Sequence, residues 1–133
     1  MVLELSDDQT IQDIQHEFAT EFPFLKLESY PLRINGNPGG EKTFPSSLSL
    51  KQAGLSKSGR LEIERQMTVL ELENSLLQQF GLGVQVWRRS GMIWLQTTMT
   101  NNWTLQNQNE HGREISLSVN QLVSKDPADK GLY

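Results

Sequence analysis

Two segments of the chain, residues 3–22 and 61–80, share one pattern of apolar and polar residues. Each begins with a short alternating run, reaches a threonine and continues into an apolar stripe at helical spacing: Ile11, Ile14, Phe18 and Phe22 in the first, and Val69, Leu72, Leu76 and Phe80 in the second. Such a repeat constrains the fold strongly, because each copy has to form the same supersecondary unit. The sequence therefore predicts a duplicated strand-and-helix unit.

Both stripes begin with the residues of a capped helix. Thr10 is followed three positions later by Asp13, and Thr68 is followed at the same spacing by Glu71. A threonine N-cap with an acidic residue at the N3 position satisfies free N–H groups of the first turn. Gly81 follows the second stripe, and glycine readily takes the left-handed conformation that ends a helix. The pattern predicts one helix over 10–22 and a matching helix after Thr68.

Extended segments are predicted after each helix. Strands are expected at 24–30 and 84–89, and Ser90-Gly91 predicts a two-residue turn that joins 84–89 to 92–98 in a hairpin. Residues 35–42 predict a longer loop in the first copy. Ser47 and Asn102 are expected to cap short helical turns that lead into strands at 60–64 and 114–119.

The hairpin predicts a surface of large side chains. With Ser90 and Gly91 in the loop, Trp87 lies opposite Trp94, and strand alternation sorts the residues onto two faces. One face is expected to pack on the core through Val84, Val86, Ile93 and Leu95. The other carries Gln85, Trp87, Arg89, Met92, Trp94 and Gln96.

Tryptophan, methionine and arginine on one sheet face are typical of the cores of protein interfaces. We therefore expect a non-enzymatic intracellular interaction or adaptor module that uses the Trp87/Trp94 face or an exposed strand edge. Three alternatives remain open at this point. The other unit or residues 120–133 could cover the face, the face could mediate self-association into a homodimer, or a small-ligand or enzyme site could lie between the two units near 35–42.

Composition sets broad limits on fold and function. A chain of 133 residues fits one compact body of two small units, here 1–60 and 61–123, with a tail at 124–133. Cysteine is absent, which excludes disulfides, thiolate metal sites and cysteine nucleophiles. The first residues do not resemble a signal peptide and no stretch resembles a membrane span, so a cytoplasmic protein is expected.

Charge and histidine content argue against several kinds of site. Residues 1–41 hold eight acids against Lys26 and Arg33, which disfavours nucleic acid as a partner because phosphate binding depends on clustered bases. His16 and His111 lack a nucleophile or a convincing ligand set around them in the sequence. Neither a catalytic residue, a metal site nor a cofactor is predicted.

The predicted order in each unit is strand, helix, strand, strand, short helical turn, strand. This order resembles the ubiquitin-like β-grasp superfamily, and it also suits a ferredoxin-like unit. Either resemblance implies an α+β fold with helices packed on one face of a mixed or antiparallel sheet. The segments FPFLKLESY, VQVWRRSGMIWLQTT and NWTLQNQN resemble a small uncharacterised family of proteins from Bacteroidota, which implies a shared fold and assigns no catalytic or binding residue.

Overall fold

The fold contains helices and antiparallel strands in alternation. A computed structural model describes residues 1–32 and 42–124, and these form an α+β structure of four α-helices and two sheets. The elements are β1 (Val2–Leu5), α1 (Ile11–Glu21), β2 (Leu25–Ser29), α2 (Leu50–Ala53), β3 (Gly59–Glu62), α3 (Val69–Phe80), β4 (Val84–Ser90), β5 (Ile93–Gln96), a 3₁₀ turn (Thr98–Thr100) and α4 (Leu105–Ser124).

The strands form two separate antiparallel sheets in the described part of the chain. One sheet pairs β1 with β3, and the other has the order β2-β4-β5. Leu3 lies opposite Leu61 in the first sheet, and Leu27 lies opposite Val86 in the second. Each sheet thus joins a strand of the first 30 residues, β1 or β2, to a strand much later in the chain, β3 or β4.

Helices α1 and α3 both begin with the capping boxes that the sequence predicts. The Thr10 hydroxyl accepts a hydrogen bond from the Asp13 amide at 3.2 Å, and the Thr68 hydroxyl accepts one from the Glu71 amide at 3.1 Å. In each box the acidic side chain accepts a hydrogen bond from the threonine amide in return. At the other end of α3, Gly81 has φ of 72°, which is the left-handed conformation expected of a terminating glycine.

Matching backbone hydrogen bonds hold the starts of the helices in the two halves. The first amide of α1 donates to a carbonyl just before α2, and the first amide of α2 donates to a carbonyl just before α1. The first amides of α3 and α4 are paired with each other's preceding segments in the same way. The first half contains Ile11 N to Leu48 O at 2.9 Å and Leu50 N to Gln9 O at 2.8 Å, and the second contains Val69 N to Trp103 O at 3.1 Å and Leu105 N to Met67 O at 2.8 Å.

The end of the second half differs from the sequence prediction. Residues 114–119 were expected to form a strand, but they lie inside α4. Ile115, Leu117 and Val119 alternate with serines as in a strand, yet tertiary packing overrides this local pattern because Gly112 lets the helix lie close to β4. A Cβ atom at Gly112 would lie 3.0 Å from Cγ of Arg88.

Four further sequence predictions are wrong in detail or lie mostly beyond the described residues. The N-cap of α2 is Ser49 rather than Ser47, and the Thr104 hydroxyl, rather than Asn102, accepts the Asn107 amide at the start of α4. Of the predicted loop at 35–42, only Lys42 lies within the described residues. Of the predicted tail at 124–133, only Ser124 does, as the last residue of α4.

The buried apolar side chains form one cluster that draws on both halves of the chain. The strands contribute Leu3, Leu5, Leu25, Leu27, Leu61, Val84 and Val86. Helices α1 and α3 contribute Ile11, Ile14, Phe18, Val69, Leu72, Leu76 and Phe80. Burial of this apolar surface is the main stabilising contribution to the fold, so the two repeats are stabilised together.

Candidate interaction surface

The hairpin of β4 and β5 has a register that differs from the predicted one. Its turn is Gly91-Met92, not Ser90-Gly91, so Trp94 lies opposite Arg89 and the predicted Trp87–Trp94 pair is wrong. Gly91 has φ of 65°, whereas Met92 does not have positive φ. A two-residue turn with positive φ only at its first position requires glycine there, as in a type II′ turn, and this places Gly91 first.

Two side-chain contacts hold the turn in this place. The guanidinium Nε of Arg89 donates a hydrogen bond to the Gly91 carbonyl at 2.8 Å. The Gly91 amide donates to the buried Ser116 hydroxyl of α4 at 3.2 Å. The serine that anchors the turn is distant in sequence, so its role is not visible from the hairpin segment alone.

The face predicted to carry the large side chains is largely preserved. The true register shifts the pairing by two residues, and an even shift keeps every side chain on its predicted face. Gln85, Trp87, Arg89 and Trp94 are half-buried on this outer face, and Gln96 is exposed there. Met92 lies in the turn instead of a strand, and 78% of its surface is exposed.

Two cations surround the ring of Trp94. Nζ of Lys26, on β2, lies 5.0 Å from the ring centroid, and Cζ of Arg89 lies 5.7 Å from it. Lys26 also forms a 2.8 Å ion pair with Glu28. Cations at these distances are attracted by the ring quadrupole, so they help to fix the orientation of the indole. Sequence reasoning missed Lys26 and Glu28 because it did not predict that β2 pairs with β4.

The remaining outer-face residues have unequal polar contacts. Nε2 of Gln85 donates to the Thr98 hydroxyl at 3.4 Å. The indole Nε1 of Trp87 is buried and has no hydrogen-bond partner within the described residues. A buried donor without a partner destabilises the fold, so Trp87 contributes to this surface through its apolar ring and not through its indole N–H.

The opposite face of β5 is more exposed than predicted. Val84 and Val86 are buried as expected, but Ile93 is 58% exposed and Leu95 is 40% exposed. The reason is that α3 and α4 pack on β4, while β5 makes its principal contacts with β4 alone. Alternation predicts the direction of a side chain and does not predict how far the covering helices extend.

Arg88 occupies the covered part of the same face. Its Nη1 donates to Oε1 of Gln108 at 2.8 Å, and its Cζ lies 5.9 Å from the ring centroid of Trp103. Burial lowers the pKa of the Arg88 guanidinium. The Trp103 ring meets His111 edge-on at 5.5 Å, and both side chains line a groove with Asn107, Glu110 and Glu114.

The outer edge of β5 presents free backbone groups. Thr97 donates to the Val86 carbonyl at 3.3 Å, so the backbone groups of Val86 and Thr97 face each other across the pair. In an antiparallel pair the facing positions alternate, and the N–H and C=O groups of Trp94 and Gln96 therefore point away from β4. Within the described residues β5 is the last strand of its sheet on that side.

At other sheet edges, side chains form hydrogen bonds with the outward-pointing backbone groups. The Glu4 amide of β1 donates to the Glu17 carboxylate at 3.2 Å. Nε2 of Gln15 donates to the Leu27 carbonyl of β2 at 2.7 Å. The Val86 amide, just beyond the end of β5, donates to the Glu73 carboxylate at 3.0 Å. These contacts limit strand addition at those positions, since the backbone group is already paired.

Glu73 has an unusual protonation equilibrium for a glutamate. Burial raises the pKa of Glu73 to about 7, and its hydrogen bond from the Val86 amide opposes part of this rise. Burial also raises the pKa of the nearby Tyr30 phenol, with a smaller contribution from the negative charge of Glu73. Glu73 is the counterpart of Gln15 in the repeat, where a neutral amide contacts the sheet instead.

The rival location between the two units is occupied by apolar core where the chain is described. Most of the predicted loop near this site lies outside the described residues. An open groove of about 600 Å³ runs instead along β3 and α3, lined by Glu62, Glu64, Gln66, Met67, Glu71, Asn74 and Ser75. Residues 1–32 and 42–124 contain no group of three or more potential metal ligands, and no helix among them is long and apolar enough to cross a membrane.

Comparisons with known proteins identify no relative of this chain. No family model, curated protein or solved structure matches the chain significantly. The resemblance to the Bacteroidota family and to β-grasp proteins therefore stays a prediction, and any function has to be argued from the surface itself.

Proposed function

We propose that the protein is an interaction module whose β5 edge accepts an extended segment of a protein partner as an additional strand. The main support for this proposal is the open edge at Trp94 and Gln96, where backbone donors and acceptors point outward. A partner strand can satisfy these groups by backbone hydrogen bonds, and pockets for alternate side chains then supply specificity.

The side chains on both faces of β5 support this proposal. On the outer face Trp94 offers a large ring beside Lys26 and Arg89. On the other face the exposed Ile93 and Leu95 offer apolar area to the side chains of an added strand. The Trp87/Trp94 face and the strand edge, which the sequence suggested as alternatives, then belong to one binding surface.

We further infer that the two halves arose by duplication of one strand-and-helix unit of β-grasp-like or ferredoxin-like order. The matching capping boxes and backbone hydrogen bonds support this inference. The second copy no longer completes that order, because residues 114–119 are helical. The cytoplasmic location expected from the sequence remains a prediction within the same proposal.

A displayed library of random peptides would test strand addition at β5. Leu95→Lys introduces a charge on the proposed binding strand, and Met99→Lys introduces the same charge on a residue that is 94% exposed outside the strand. We expect the native protein and Met99→Lys to enrich the same apolar, extended peptides, and Leu95→Lys to lower their enrichment by about tenfold or more, a difference of about 1.4 kcal/mol.

Two results would contradict the proposal. Equal enrichment by Leu95→Lys would place the binding surface elsewhere, provided that circular dichroism shows that this variant is folded. If the native protein enriches no peptide over an uncoated support, strand addition at β5 is not the function.

A further inference from the structure

We propose that β5 pairs with β5 of a second copy of the same chain, so that the two outer sheets join into one continuous antiparallel sheet. This inference rests on the proposed function, since it names the partner of the same edge. A pair of identical edges forms an isologous contact about a two-fold axis, which is the commonest symmetry of protein dimers.

Charge favours a second copy as the occupant. Residues 90–109 contain no charged side chain, although charged residues make up 21% of the whole chain. Edge strands of monomers are commonly protected by lysine, proline or inward-pointing charges, and β5 has none of these. Two copies of β5 can therefore approach each other without placing like charges opposite one another along the strand.

The direction of the backbone groups restricts the register of the pair. Trp94 and Gln96 present outward N–H and C=O groups, so each must face an outward position of the other strand. A two-fold axis at Leu95 satisfies this condition, because it places Trp94 of one copy opposite Gln96 of the other. Leu95 then faces Leu95 of the second copy, and two side chains that are 40% exposed become buried together.

The cations around Trp94 argue against an axis at Trp94 and against stacking of the outer faces. An axis at Trp94 would bring the two indoles together with Lys26 and Arg89 of both copies. Stacking the outer faces of the two sheets would also place the cations of one copy close to those of the other. Like charges directly opposite one another are destabilising. The axis at Leu95 instead gives each indole an uncharged glutamine as its neighbour across the new pair.

The length of β5 sets the strength of the association. The strand contains four residues, so pairing alone buries less than the roughly 1,600 Å² of a standard stable interface. The exposed Met92, in the turn just before the strand, adds apolar area. We therefore expect a reversible dimer whose population rises with protein concentration.

Sedimentation equilibrium over a wide range of concentrations tests the association. We expect the mean mass of the native protein to rise from that of one chain towards that of two, and the Met99→Lys control to behave in the same way. Leu95→Lys should remain at the mass of one chain throughout, because it places two ammonium groups opposite each other on the axis. A native protein that stays at the mass of one chain overturns the inference.

Cysteine cross-linking tests the register independently, because the chain contains no cysteine. Residues opposite each other in a non-hydrogen-bonded antiparallel pair have Cα atoms about 4.5 Å apart, within the range that a disulfide spans. With oxidised glutathione, Leu95→Cys should form covalent dimers at least about tenfold faster than Ile93→Cys, whose two copies lie well apart in this register although Ile93 is more exposed. Equal rates would overturn the register.

The two proposals fail in distinguishable ways. A native protein that remains a single chain but enriches peptides at β5 retains the interaction function and loses the self-pairing. Equal peptide enrichment by Leu95→Lys removes peptide binding at β5, whereas self-pairing is overturned only by a native protein that stays at the mass of one chain or by equal cross-linking rates.

Discussion

Glu73 shows how one side chain can link the stability of the sheet to pH. Its carboxylate accepts the Val86 amide at the point where β5 ends, and burial raises its pKa to about 7. Because the native state binds this proton more tightly than the unfolded chain does, the free energy of unfolding falls as the pH rises from about the ordinary value of 4.5 to about 7.

Replacing Glu73 by glutamine should remove this dependence. The amide of Glu73→Gln retains an oxygen for the Val86 N–H and carries no charge at any pH. We expect the stability of the variant relative to the native protein to be greater at pH 8 than at pH 4.5 by about 3 kcal/mol. Urea unfolding at both values measures the difference.

Glu64→Gln provides the matched control for the pH experiment. Glu64 is exposed and follows β3, so loss of its charge should leave the difference between the two pH values close to that of the native protein. An unchanged pH dependence in Glu73→Gln would show that the buried carboxyl does not have the raised pKa.

At the scale of elements, the hairpin shows that the sequence predicts the face on which a side chain lies but not the register of the strands. Alternation predicted that Trp87 and Trp94 share one face of β4 and β5, and this prediction is confirmed. The register was wrong because Ser90-Gly91 and Gly91-Met92 both fit a two-residue turn locally. The choice depends on the backbone angles at Gly91 and on the distant Ser116, and neither is apparent in a pattern of apolar residues.

The same limit explains the error at α4. Residues 115–119 alternate apolar residues with serines, and alternation is the signal of a strand. The approach of Gly112 to β4 and the hydrogen bond from the Gly91 amide to Ser116 show that a helix packs there. In α1 and α3, by contrast, capping, periodicity and burial agree, and these helices were predicted almost to their ends. Sequence reasoning succeeds where local signals agree and fails where packing decides.

A substitution at the turn would test the importance of the Gly91 conformation. Gly91→Ala should destabilise the protein by about 1–2 kcal/mol, because a Cβ atom is unfavourable at positive φ. Met92→Ala changes the neighbouring turn residue, which does not have positive φ and is largely exposed, and should have little effect. Chemical unfolding of both variants gives the comparison. Equal stability of the two would argue against strain at Gly91.

At the scale of the whole molecule, one apolar cluster connects the two repeats. Ile14 on α1 and Leu72 on α3 belong to the same set of buried side chains as the strands of both sheets. A cavity in one repeat should therefore weaken the other, because the apolar contacts are shared.

The positions of the tryptophans allow this coupling to be measured. Trp87, Trp94 and Trp103 all lie in the second half, so their fluorescence reports on that half and on β2, which pairs with it, and not on α1 directly. We expect Ile14→Ala in the first half to lower stability by about 2–5 kcal/mol, with equal shifts in fluorescence and circular dichroism. Gln12→Ala on the exposed side of the same helix should shift neither signal appreciably. A fluorescence midpoint unaffected by Ile14→Ala would mean that the halves unfold independently.

The pairing of β1 with β3 and of β2 with β4 also bears on the evolutionary history of the chain. β2 of the first half pairs with β4 of the second, and β3, the partner of β1, spans the boundary between the halves, so neither half by itself contains all of its hydrogen-bonded neighbours. An ancestor of one repeat would have had to obtain those neighbours from another molecule. Under the duplication that we propose, a single-unit ancestor would thus have been an obligate dimer, and joining two units in one chain would have converted an association between molecules into folding within one.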